Sequence, residues 1–63
     1  MTQNILRLLR AQNSGRLSVE FIAEQLHASV PAVVTELLAL RKAGNVNSWG
    51  SGTPVMLYWS IRD

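Results

Sequence analysis

Val46-Asn47-Ser48-Trp49-Gly50-Ser51-Gly52-Thr53-Pro54-Val55-Met56-Leu57-Tyr58-Trp59-Ser60-Ile61 is the stretch in which the chain changes its hydrophobic period. Val46 and Ser48 alternate with Asn47 and Trp49 ahead of the run Gly50-Ser51-Gly52-Thr53-Pro54. Beyond it, Val55, Leu57, Trp59 and Ile61 alternate with Met56, Tyr58, Ser60 and Arg62. A period of two is that of a strand with one buried face, and a Gly/Pro-rich centre supplies turn conformations. The pattern predicts a β-hairpin with strands over 46–49 and 55–61, and it sends Trp59 into the core.

Upstream the period is about 3.6. Ile5, Leu8 and Leu9 at helical spacing predict a first helix over 2–12, with Thr2 as its N-cap and Asn13-Ser14-Gly15 ending it. Arg16-Leu17-Ser18 is long enough only for an extended link or a small edge strand. Ser18 then caps a second helix over 19–26, with Glu20 in its first turn and Phe21, Ile22 and Leu26 at core spacing. After a tight turn through His27-Ala28-Ser29, Ser29 caps a third helix over 30–43, where Pro31 is tolerated in the first turn. Val33, Leu37 and Leu40 form its inward row, and Gly44 stops it. The expected fold class is α+β, three helices followed by a C-terminal hairpin, as one domain over 1–63.

At 63 residues the chain has room for one domain, and folding at this size buries only about 60% of the unfolded surface. The absence of cysteine excludes disulfides, thiolate zinc sites and iron–sulfur clusters supplied by this chain. No apolar run is long enough for a membrane span, and no signal peptide is visible, so a cytoplasmic protein without membrane contact is expected. Six basic residues face four acidic ones, which permits an anionic partner without demanding it. With 48% of residues apolar and 16% charged, some apolar surface should remain exposed for contacts.

The combination Leu17-Ser18, Ile22-Ala23, Leu26, Ser29, Val33, Leu37, Leu40 and Gly44-Asn45-Val46 resembles the helix-turn-helix signature of winged-helix DNA-binding proteins. The resemblance covers nearly the whole chain and is similar in size and order to small bacterial winged-helix transcriptional regulators. It implies that the third helix enters the major groove of double-stranded DNA while the hairpin, as a wing, touches the backbone or the minor groove. Gly52-Thr53-Pro54 and Trp59-Ser60-Ile61 also resemble the wing of Z-DNA-binding winged helices. There, lysine, asparagine and tyrosine hold phosphates at positions that fall here on Val30, Val34 and Leu38. A Z-DNA role is therefore not carried over. Neither is an iron–sulfur role, since the wing cysteines of the iron-uptake regulators are missing.

For a DNA reader the candidate residues are Ser29 and Thr35 nearest the bases, Arg41 and Lys42 at the backbone, and Trp49, Ser51 and Thr53 on the wing. Arg41 and Lys42 also suit the negative end of the third helix. Arg7, Arg10 and Arg16 read either as a solvated face or as a flank for phosphates. Val30, Val34 and Leu38 form a second, aliphatic row at i, i+4, i+8, with Glu36 nearby as a repulsive charge. That row has three readings: core covered by the rest of the fold, a protein interface, or a contact with thymine methyls. Glu20 and Glu24 share a solvated helix face, and His27 is the sole histidine, expected in a turn or cap. No constellation for catalysis, metal or cofactor emerges, so no enzyme activity, cofactor or small-molecule substrate is expected. The leading expectation is a DNA-binding transcriptional regulator acting as an oligomer, such as a homodimer. The alternative is a protein-interaction or assembly module that uses the aliphatic row.

Overall fold

The computed structural model describes residues 1–11 and 15–62. Among these residues the chain forms α1 (Thr2–Ala11), β1 (Leu17–Ser18), α2 (Val19–Leu26), α3 (Val30–Lys42), β2 (Val46–Trp49) and β3 (Tyr58–Ile61), with a 3-10 turn at Pro54–Met56 before β3. The three strands make an antiparallel sheet in the order β1-β3-β2. The architecture is α+β. The predicted helix end at Gln12 and the turn residues Asn13 and Ser14 lie outside the described residues.

Both α2 and α3 are delimited by backbone chemistry legible in the sequence. The Ser18 hydroxyl accepts from the Phe21 N–H at 3.1 Å, and the Ser29 hydroxyl accepts from the Ala32 N–H at 3.3 Å, satisfying a donor with no partner inside each helix. Each helix also ends in the same pair of bonds. Ala28 N–H donates to Ala23 O and His27 N–H to Glu24 O at the end of α2; Asn45 N–H donates to Leu40 O and Gly44 N–H to Arg41 O at the end of α3. This is the Schellman arrangement, and it needs one residue at positive φ. Gly44 takes φ +86° without steric cost, whereas at the end of α2 the position is held by His27 at φ 53°, ψ 41°.

The helices pack on one face of the sheet. Ile5, Leu6 and Leu9 of α1, Val19, Ile22 and Ala23 of α2, and Val33, Leu37 and Leu40 of α3 are buried with Val46, Leu57 and Trp59. Trp59 is 0% exposed and is the largest side chain enclosed, as its place in the alternation predicted. Each fully buried aliphatic side chain contributes about 1.5–3 kcal/mol of transfer free energy.

Five expectations are corrected. Thr2 opens α1 from inside the helix rather than capping it, and its hydroxyl instead donates to Glu36. In α1 the core takes Leu6 while Leu8 stays half-buried. In α2 the inward stripe is Val19, Ile22, Ala23 and Leu26, spaced i, i+3, i+4, i+7, and Phe21 is left 38% exposed. The last strand begins at Tyr58, because Pro54 sets a helical φ and winds residues 54–56 into the 3-10 turn. Met56 N–H donates to Thr53 O at 2.8 Å and Leu57 N–H to Pro54 O at 3.2 Å, so Val55 and Met56 face solvent. The third helix also stops one residue early, with Ala43 at its cap.

Candidate nucleic-acid interface

The residues singled out on α3 divide into three groups by what the fold has done with them. Val30, Val34 and Leu38 are half-buried and pack against the core cluster, so the aliphatic row is a shoulder of the core and not a free-standing stripe. Pro31, Thr35, Ala39, Arg41 and Lys42 are the exposed residues of the helix. Glu36 is half-buried and bonded to α1, where its carboxylate accepts from Thr2 at 2.6 Å. The sequence placed Glu36 as a repulsive charge beside the reading face; the fold turns it toward α1.

Ser29 and Thr35 are exposed, and each has spent one hydrogen-bonding function. Ser29 accepts the capping bond, leaving its hydroxyl proton free to donate. Thr35 donates to Pro31 O at 3.0 Å, leaving oxygen lone pairs free to accept. At the C-terminal end of the helix, Arg41 is held against the hairpin: its Nη1 donates to Ser48 Oγ at 2.9 Å, and its guanidinium lies 5.5 Å from the Trp59 ring centroid. Thus one exposed cation bridges α3 and β2, and Lys42 beside it is exposed as well. Ser51 and Thr53 are exposed in the connection between β2 and β3, which has Gly50 and Gly52 at positive φ.

Trp49 is placed elsewhere. In the β2–β3 register Ser48 stands opposite Trp59 and Trp49 opposite Tyr58. Directly opposed residues share a face of the sheet. Ser48, bonded to α3 through Arg41, is therefore on the helix side with Trp59, and Trp49 and Tyr58 are on the outer side. There the Trp49 Nε1–H donates to Ser60 Oγ at 2.8 Å, and the Arg16 guanidinium lies over its ring, 3.9 Å from the centroid. The candidate wing residue is separated by the sheet from the α3 residues it was expected to accompany.

Sequence reasoning did not single out Tyr58 or the pairing of Arg16 with Trp49. Alternation alone placed Tyr58 outward, but matching it with Trp49 needs the register of the hairpin. Arg16 reaches Trp49 only because β1 and β2 flank the same strand, β3. All six cations are exposed, while Glu20 and Glu24 lie exposed on α2. Among the described residues there is no cavity, no group of three or more metal-ligating side chains, and no helix long and apolar enough to cross a membrane. No family model matches the chain, and no curated protein matches it.

Proposed function

We propose that this chain is a winged helix-turn-helix domain that binds double-stranded DNA and serves as a small cytoplasmic transcriptional regulator, with no catalytic role. The observation that carries this reading is the joint between α2, α3 and the hairpin. Two serine-capped helices meet through the left-handed turn at His27, and Arg41 ties the end of the second to the strand that leads into the hairpin tip. In this reading α3 lies in the major groove with Ser29 and Thr35 toward the base edges. Arg41, Lys42 and the tip residues Ser51 and Thr53 then meet phosphates. The engagement of Glu36 by Thr2 supports it, since that carboxylate is drawn away from a phosphate-facing surface.

A module with so few cations neutralises about three to five phosphates, so the slope of log K against log salt is about −3 to −5 per subunit. Such weak affinity favours action as a dimer. The test is an NMR titration of the protein with a mixed-sequence duplex at low salt. Shifts concentrated on α3 and residues 50–53, lost when Arg41 and Lys42 are both changed to Ala, support the reading. Unchanged affinity in that double variant, or no shifts in the parent, overturns it.

The partial exposure of Val30, Val34 and Leu38 favours a second reading, in which the α3 shoulder docks on another protein or a second copy. It is separated from the first by the Val34 variant described in the Discussion.

A further inference from the structure

The outer face of the sheet, across the molecule from α3, carries a side-chain arrangement that the duplex reading does not use. Its outward positions in the three strands are Ser18, Asn47, Trp49, Tyr58 and Ser60, with Arg16 immediately before β1. Tyr58 on the central strand is 52% exposed, and Trp49, opposite it on the neighbouring strand, is 39% exposed. Neither packs under a helix. Trp49 is fixed by its bond to Ser60 Oγ, and Arg16 reaches over β3 to lie on its ring. An arginine held on an aromatic face keeps its in-plane N–H groups for an acceptor such as phosphate, and its second face for a further planar group. Among the described residues Arg16 makes no ion pair and no hydrogen bond, and none of the three strands contains a carboxylate.

We infer that this face is a second nucleic-acid site, one that takes a single strand with unpaired bases. One base stacks on the Tyr58 ring and a neighbour on the Arg16 guanidinium, which is backed by Trp49. The Arg16 N–H groups and the exposed Arg62 just past β3 meet the backbone. Two features choose the occupant. Exposed aromatics side by side on adjacent strands offer stacking surfaces to successive bases, and every base has a π-face, so such a platform is tolerant of sequence. The charge of the face is complementary to phosphate: the antiparallel register brings Arg16, just before β1, and Arg62, just past β3, to the same end of the sheet, and no strand carries an acidic residue. An apolar peptide would leave the Arg16 donors unpaired, and a paired duplex offers no base face to Tyr58.

The test uses the whole chain and a short 5′-labelled oligothymidylate, followed by fluorescence anisotropy and tryptophan emission at low salt. Because Trp59 is fully buried, quenching reports on Trp49. Binding with quenching is expected. Tyr58→Ala should weaken binding by about 5- to 150-fold, the range that stacking of one base carries. Tyr58→Phe should retain most of the affinity, because it keeps the ring. Arg16→Ala should weaken binding and reduce the salt slope by about 0.7. Melting curves of each variant check that the fold persists. Failure to bind the oligomer, or parental affinity in Tyr58→Ala and Arg16→Ala with the fold intact, overturns the inference. The Arg41/Lys42 double variant separates this site from the proposed duplex face: it should lose duplex and keep the oligomer. Duplex binding without oligomer binding leaves the functional reading standing and removes this one; the reverse removes the functional reading alone.

Discussion

Thr2 Oγ1 donates to the Glu36 carboxylate at 2.6 Å, joining the first turn of α1 to the middle of α3. The bond has a charged acceptor and is partly buried, so it lies in the range where a hydrogen bond matters. Solvent at the half-exposed pair reduces its value, and about 1 kcal/mol is expected for Thr2→Val or Glu36→Ala. In a domain of this size each should lower Tm by about 4–8 °C. The double variant should lose less than the sum of the two single losses; strict additivity in melting curves would show that the pair is not coupled.

Trp59 holds the sheet to the helices. Trp59→Ala should cost about 3–5 kcal/mol, which is comparable with the whole stability of a small domain, and the variant should be unfolded by circular dichroism. Trp59→Phe should be much milder. The indole N–H is buried with no hydrogen-bond partner among the described residues, a state that costs about 1–3 kcal/mol, and phenylalanine removes that group while keeping most of the packing. Urea titrations of the two variants check the order; an equal loss in both would show that the N–H carries no penalty.

His27 occupies a left-handed position where glycine is the usual residue. His27→Gly relieves the backbone strain but frees the unfolded chain, so stability should change by less than about 1 kcal/mol. His27→Val places a β-branched side chain at the same φ and should destabilise by more than 1 kcal/mol. Paired melting curves check this. A valine variant as stable as the parent would mean that the turn rearranges.

Val34→Glu distinguishes the roles open to the α3 shoulder. Light scattering of the parent and the variant, with melting curves, reads the outcome. If the face docks on a second copy, the parent is a dimer and the variant a folded monomer. A collapse in Tm with a monomeric parent means that the shoulder is core. A folded monomer that loses duplex binding assigns the position to DNA.

The sequence by itself determined the boundaries of α2 and β2, the start of α3 and the inward position of Trp59. Caps, glycine at positive φ and the periods of 3.6 and 2 act within a few residues, and nothing distant is needed for them to operate. The tertiary structure decided which of two apolar residues two positions apart entered the core. Leu6 over Leu8 and Val19 over Phe21 are choices between helix rotations, and only the surface each helix packs against selects one. It also decided that Pro54–Met56 winds into a 3-10 turn, which sets the length of β3. The candidate site followed the same division. Ser29 and Thr35 were legible from their place on a helix, whereas Arg16 on Trp49, Arg41 on Ser48 and Thr2 on Glu36 were not. Each of those contacts joins segments that are separate in sequence and brought together by sheet order and helix packing. Pairing of that kind is a property of the assembled chain, because the contact forms only after loop closure has brought its two ends within reach.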